Sequence, residues 1–257
     1  MMLTRTIAVV GDDRRQAAAA RALAAAGCRV GGPEAVPAAD YILLPVPLRM
    51  DRALAALLQT AKPGAVLLGG RAPAETFGRA WVDCFAREEL AVRNAVPTAE
   101  GCIGLLLARR TRTLWGAPVL VTGYGRVGQA LAPWLAALGA KVTVAARAGA
   151  QRALAASQGA EAVPLAELAG AAPGFDTVVN TIPAPVLTRP VLAALRPQSL
   201  IVDLASAPGG TDFDAAAALG HTALLASGLP ARCAPASAGE YLAGTVLEII
   251  EEREAVA

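Results

Sequence analysis

The chain has 257 residues, 55% of them hydrophobic, which is enough for one large or two ordinary domains with a sizeable core, and two are expected. Its net charge is +2 without a basic block, and aromatic residues make up only 4%, so nucleic-acid binding has no electrostatic footprint and a small-molecule partner is expected. The four cysteines, Cys28, Cys84, Cys102 and Cys233, show no C-x-x-C spacing and read as reduced, mostly buried thiols, with neither a metal site nor a disulfide framework.

In chain order, MMLTRTIAVVG lacks a signal-peptide pattern, and no apolar run approaches the ~18 residues needed to span a membrane, so a cytoplasmic location is expected. Thr6 to Gly11 reads as a strand whose glycine turn opens onto Asp12-Asp-Arg-Arg-Gln16 and an alanine-rich helix ending at Gly27. Short runs at Arg29-Val30, Tyr41 to Val46 and Ala65 to Leu68 alternate with helical stretches such as Arg49 to Thr60, which predicts a parallel α/β sheet. This half lacks the second and third glycines of a dinucleotide loop, and two acids just past the strand would repel a pyrophosphate. Ligand crevices in open α/β sheets lie at the carboxyl ends of strands, where Asp12, Arg14, Arg15, Gln16, Pro45 to Pro47 and Gly69 to Arg71 fall. Solvated loops account equally well for any one of these residues.

Farther on, Thr98 is a plausible N-cap for an apolar helix, Cys102 to Ala108, that crosses between domains and ends near Arg109 and Arg110. Glu100 falls in its first turn, where a carboxylate suits the helix dipole; the functional alternative is a place beside the nicotinamide.

The segment from Ala117 to Arg147 carries the most specific local pattern. Val119 to Thr122 feeds Gly123-Tyr-Gly-Arg-Val-Gly128, a helix runs to Gly139, and Val142 to Ala146 forms the next strand, the context that gives a G-x-G-x-x-G match its meaning. Gly123 allows the tight turn, Gly125 the approach of a pyrophosphate, and Gly128 close packing of helix on strand, with Tyr124, Arg126 and Val127 contributing main chain to the same loop. An NAD-selective site places Asp or Glu at the tip of the second strand. Here the tip is Arg147, which cannot accept a hydrogen bond but can pair with a 2′-phosphate, with Arg126 as a second donor; NADP is the expected cofactor and NAD the alternative.

Six strands are predicted in this half: Val119–Thr122, Val142–Ala146, Ala162–Pro164, Thr177–Thr181, Leu200–Leu204 and Thr222–Leu225, the number in a complete dinucleotide domain. Asn180, Thr181, Ile182 and Pro183 end the fourth strand, where small polar groups border the ribose and nicotinamide. Asp203 to Asp212 ends the fifth, with glycines that let a loop approach ligand closely. An amphipathic helix, Glu240 to Glu251, is expected to return to the first domain. The fold class is thus α/β, two doubly wound parallel-sheet domains: residues 1–95 completed by 237–257, a crossing helix over 96–111, and a Rossmann domain over 112–235.

The blocks GDDRRQ, LLPVP, AVPTAEG, VTGYGRVGQALAPWLAALGA, NTIP, DLASAPGGTDFDAA and GLPARCAPASAGEYL together closely resemble the dipicolinate synthase A subunits of spore-forming bacteria, over nearly the full chain. The first domain is shorter than is usual in that family, mostly before the Ala65 strand. The resemblance implies NADP-linked conversion of 4-hydroxy-tetrahydrodipicolinate into dipicolinate, as part of sporulation, together with a flavoprotein B subunit. Loss of water and hydride from a ring dicarboxylate needs cations for the carboxylates, a positioned acid or base, and a nicotinamide held against the ring. Arg14, Arg71, Arg93 and Arg232 are candidates for the cations, Arg14 first; Asp12 and Glu100 for the acid or base; and Gln16, Thr98, Ser206 and Gly209 for further substrate contacts. The substrate is expected between Asp12–Gln16 and the 206–211 loop. The single histidine, His221, is expected at a loop, unlike the catalytic histidine of the similarly built D-2-hydroxy-acid dehydrogenases. A shikimate-dehydrogenase type of enzyme on another small carboxylate, and a cofactor-binding protein whose partner does the chemistry, remain as alternatives.

Overall fold

The computed structural model describes residues 5–256, which fall into two compact units: one holds the residues up to 94 together with those from 230 onward, the other residues 95–229. Both are α/β units built on parallel sheets.

The first unit has strands β1 (Thr6–Val9), β2 (Arg29–Gly31), β3 (Tyr41–Leu43), β4 (Val66–Gly69) and β5 (Ala80–Asp83), in the order β2-β1-β3-β4-β5. The central strands are covered on both faces, which is why their sequences are continuous apolar runs rather than alternating ones. Ile7, Val9, Leu43 and Leu68 point to one side, where they meet Leu23 of helix α1 (Arg14–Ala25) and Leu242, Val246 and Ile249 of the C-terminal helix, Pro235–Val256. Ala8, Val10, Ile42, Leu44 and Leu67 point to the other, against Leu54 and Leu58 of helix α2 (Arg52–Gln59). The C-terminal helix lies directly on α1: a side chain at Gly239 would be 2.6 Å from Ala18 Cβ, so small residues on both helices set the approach. Arg87 pairs with Glu252 at 2.5 Å and Arg5 with Glu254, fastening the last turns of the C-terminal helix to this unit.

Local predictions shift in three places. The strand expected to reach Val46 ends at Leu43, and the helix expected from Arg49 begins at Arg52 because Asp51 caps it, accepting from Leu54 N at 2.8 Å. Helix α3 spans Glu88–Arg109, so Thr98 is not an N-cap but lies mid-helix, after Pro97. The start is marked instead by Glu88 and Glu89, acids suited to the positive end of the helix dipole. Ala95, Ala99, Cys102 and Leu106 are buried at helical spacing, and that burial outweighs the backbone bond a proline removes.

The second unit holds strands β6 (Pro118–Thr122), β7 (Lys141–Ala146), β8 (Glu161–Pro164), β9 (Thr177–Asn180), β10 (Leu200–Asp203) and β11 (Thr222–Leu225). Helices α4 (Arg126–Ala137), α5 (Gly149–Ser157), α6 (Leu168–Ala171), α7 (Arg189–Ala194) and α8 (Phe213–Ala218) connect them, and α9 (Leu229–Cys233) begins at the last residue of this unit. The order β11-β10-β9-β6-β7-β8 reverses direction between β6 and β9, the switch point at which doubly wound sheets open a crevice. Among the described residues no helix is long and apolar enough to cross a membrane.

Candidate functional site: a glycine loop and a buried relay at the switch point

The turn from β6 into α4 is shaped by three glycines doing three different things. Gly123 has φ +91°, and a side chain there would collide with Thr181 Oγ1 and lie 2.9 Å from Ile182 Cγ1. A side chain at Gly128 would run into Gly123 O, so its absence lets α4 begin against the loop. Gly125 is the N-cap, it offers no side-chain cap, and a Cβ on it would meet nothing within 4 Å. An uncapped helix start with open space in front of it fits a pyrophosphate bound by main-chain N–H groups. Tyr124 secures the loop from below: its side chain is 1% exposed, its hydroxyl donates to Gln158, and its carbonyl accepts from Gln129 Nε2 at 3.0 Å. It can therefore serve a ligand only through its main chain. Arg126 is exposed and Val127 half-buried.

Beside this loop, the ends of β6, β9 and β10 are tied by a buried polar relay. Thr122 Oγ1 donates to Asn180 Oδ1 at 2.6 Å, and Asn180 Nδ2 donates to Asp203 Oδ1 at 2.9 Å. Asp203, fully buried, also accepts from Ala205 N, Gly210 N and Thr211 Oγ1, the last at 2.6 Å. Four donors are what make a buried carboxylate tolerable. The 204–211 loop is thereby drawn onto the 180–184 segment. Gly209, at φ +87°, would set a side chain 2.9 Å from Asp203 Oδ2, and Gly210 would set one 2.5 Å from Ile182 O.

For Asn180 the relay has a direct consequence. Its amide is used up inward, since Oδ1 also accepts from Ile182 N and Nδ2 also donates to Ile182 O. Thr181 Oγ1 likewise donates to Thr122 O at 2.8 Å. Ile182 is half-buried, while Pro183 and Ser206 are exposed, so they carry what surface this wall presents. From sequence, Asp203 and Thr211 stand only as members of the Asp203 to Asp212 strand end and the 206–211 loop, and Thr122 as the end of its strand; a Thr ending one strand, an Asn and an Asp ending its neighbours, and a Thr after a Gly-Gly pair are the signal that points to the relay.

At the tip of β7, Arg147 is exposed, and Arg152, missed from sequence, folds back from α5. Arg152 Nη1 donates to Ala146 O at 2.9 Å and Arg147 O at 2.7 Å.

The GDDRRQ segment of the first unit splits between structure and surface. Asp13 caps α1, accepting from Gln16 N at 2.8 Å and from Arg15 Nη2 at 2.9 Å. Burial pushes the Asp13 carboxyl up, but the Arg15 guanidinium and the Gln16 N–H outweigh it, and the net shift is downward. Gln16 is buried, and its Nε2 donates to Val10 O at 2.7 Å and Leu44 O at 3.0 Å, so those donors join β1 to β3. Arg15 Nη2 also donates to Val46 O at 2.6 Å. Asp12 is exposed on the rim of a cavity of about 310 Å³ bordered by Gly31 and Gly32. Arg14 lines a different, smaller hollow of about 160 Å³ with Arg21 and Pro235.

Of the remaining candidates, Glu100 is exposed and Thr98 half-buried on α3, and Arg71 and Arg232 are exposed. Arg93 reaches Glu248 at 3.9 Å. His221 accepts at Nδ1 from Ser199 N at 3.2 Å, which leaves Nε2 to donate to Leu192 O at 2.9 Å. Cys84 and Cys102 are buried, with desolvation pushing each thiol up to about 12, whereas Cys28 is half-buried and Cys233 exposed, so fewer thiols are buried than expected. Among the described residues no group of three or more His, Cys, Asp or Glu is placed to hold a metal.

Residues 79–219 match the family described as D-isomer specific 2-hydroxyacid dehydrogenase, NAD binding domain. The dipicolinate synthase A subunit of Bacillus subtilis (strain 168) is 41% identical over 177 residues, 69% of this chain and 60% of that protein, so the match spans less than two thirds of the relative's length. Two solved structures superpose over almost the whole chain. The dipicolinate synthase A subunit from Bacillus halodurans is 30% identical, with 97% of this chain and 98% of that one covered and a TM-score of 0.88. Its counterpart, the A subunit of dipicolinate synthase from Bacillus subtilis, is 32% identical, with 100% and 99% covered and a TM-score of 0.88.

Proposed function

The chain belongs to the family of dipicolinate synthase A subunits, and from that membership we propose that it is the dinucleotide-using component of a dipicolinate synthase, converting 4-hydroxy-tetrahydrodipicolinate into dipicolinate with NADP. A flavoprotein B subunit is the proposed partner, and sporulation the proposed setting. The observation that carries the reading is the β6–α4 turn, whose uncapped helix start faces open space at Gly125 in a chain about one third identical to solved A subunits along its length.

The reaction removes water from the substrate ring and then transfers a hydride from the ring to the nicotinamide, with a proton released. The cofactor, when bound, supplies the hydride acceptor. The chain's own residues hold and orient it. Main-chain groups of Gly123 to Gly128 take the pyrophosphate, Arg147 takes the 2′-phosphate, and Ile182 and Pro183, held by the Asn180–Asp203 relay, flank the nicotinamide end. The relay also fixes the loop bearing Ser206 and Gly209. Proton handling falls to Asp12 and Glu100, and the recognition of substrate carboxylate to Arg14, all three of which keep exposed side chains. Gln16 and Thr98 contribute by supporting these groups, because Gln16 is bonded to strand carbonyls and Thr98 lies within a helix.

The test is to incubate the purified chain with 4-hydroxy-tetrahydrodipicolinate and NADP, with and without the flavoprotein partner, and to follow dipicolinate absorbance. Dipicolinate formation that needs this chain is expected. No dipicolinate, with both proteins present, would overturn the reading.

A further inference from the structure

The turn that follows β7, Arg147 through Arg152, contains no carboxylate. A ribose with a free 2′-hydroxyl needs an acceptor there, and besides the Gln151 amide the tip offers the main-chain carbonyls of Ala146 and Arg147. Both already accept from one nitrogen of Arg152, at 2.9 and 2.7 Å, so a hydroxyl donating to either oxygen would share it with a cation. The other terminal nitrogen, Nη2, lies on the Gly149 side, 3.8 Å from where a side chain at Gly149 would begin. That is the start of α5, whose N-cap, Ala148, supplies no side-chain cap.

We infer that Arg152 is a specificity-determining residue for the adenosine ribose: Nη1, bonded to the tip carbonyls, holds the guanidinium at the turn and competes with a 2′-hydroxyl for those oxygens, and Nη2 joins the Arg147 guanidinium on a 2′-phosphate. This rests on the NADP reading and extends it, because selectivity becomes a property of two arginines, one of which also competes for the tip carbonyls. Arg152 is half-buried and locked by its two carbonyl bonds, so it is set in position before ligand arrives. Arg147, exposed, closes on the phosphate afterwards.

Binding titrations separate these roles without relying on turnover. The probes are adenosine 2′,5′-bisphosphate and 5′-AMP, each displacing NADPH from the full-length chain, compared for the unaltered protein and for Arg147→Met, Arg152→Met and Arg152→Lys. The unaltered protein should favour the bisphosphate. Arg152→Met should weaken the bisphosphate by at least about tenfold while leaving 5′-AMP equal or tighter, since the tip carbonyls are released. Arg152→Lys should restore part of the bisphosphate affinity. If Arg152→Met keeps the original ratio of affinities, or lowers both ligands equally, the role of Arg152 is wrong while the NADP reading stands. If the unaltered protein shows no preference, the NADP reading fails and this inference with it.

Discussion

Each sheet opens in chain order with the same supersecondary element, strand, glycine turn, helix and parallel strand, yet the two helix starts are finished differently. Position by position, Gly11 matches Gly123 as the positive-φ residue that ends the strand. Two residues on, the helix cap is Asp13 in the first unit and Gly125 in the second. Asp13 satisfies the helix start with its own carboxylate and makes it negative, whereas Gly125 leaves the space in front of α4 clear. Five residues after the strand-end glycine stand Gln16 and Gly128. Gln16 fills the gap and ties Val10 to Leu44, and Gly128 leaves room for the turn to close on itself. One element is finished by its own side chains; the other is left for a ligand to finish.

The largest effect should come from the relay that only the second unit possesses. Asp203→Ala strands four buried donors and should lower stability by about 3 kcal/mol, read as a shift in urea unfolding. An unchanged midpoint would show that the loops do not depend on that carboxylate. Gly128→Ala comes next. Its side chain would meet Gly123 O, so a loss of roughly 1–3 kcal/mol in stability is expected, with NADPH binding weakened by more than stability alone explains. Thermal unfolding alongside fluorescence titration distinguishes the two.

Asp13→Ala should be the mildest, about 1 kcal/mol, as for an ordinary N-cap, and should leave cofactor affinity alone. Its pH signature sharpens the contrast. The folded carboxyl lies below its ordinary 3.8, so its contribution is complete above the unfolded value and disappears as acid takes the pH down through the folded one. Asp13→Asn should flatten that part of the acid-unfolding curve. A curve that does not change would assign acid sensitivity elsewhere.

The sheets were legible because buried parallel strands are unbroken apolar runs between glycines and polar ends, and the β6–α4–β7 unit because each of its glycines answers a steric demand. Start signals are local, and there sequence and structure part: Thr98 ahead of an apolar stretch looks like a cap, but the burial of Ala95, Ala99, Cys102 and Leu106 carries α3 through Pro97. The direction of a polar side chain is a tertiary property. Gln16 and Asn180 sit at strand ends where ligands are contacted, yet both turn inward to backbone or to a neighbouring strand. Arg152 was invisible for the same reason, since only the folded turn brings it back to the β7 tip.

The central claim, that the second unit binds the dinucleotide because its helix start is left open, is tested most directly by giving it the cap of the first. Gly125 has ordinary extended backbone angles, φ −86° and ψ −161°, so Gly125→Asp can fold without strain. Calorimetric titration with NADP should show binding in the unaltered protein and in Asp13→Ala, and a loss of at least about tenfold in Gly125→Asp, where a carboxylate competes with the pyrophosphate for the same N–H groups. Undiminished binding by Gly125→Asp, or loss of binding in Asp13→Ala instead, would contradict it.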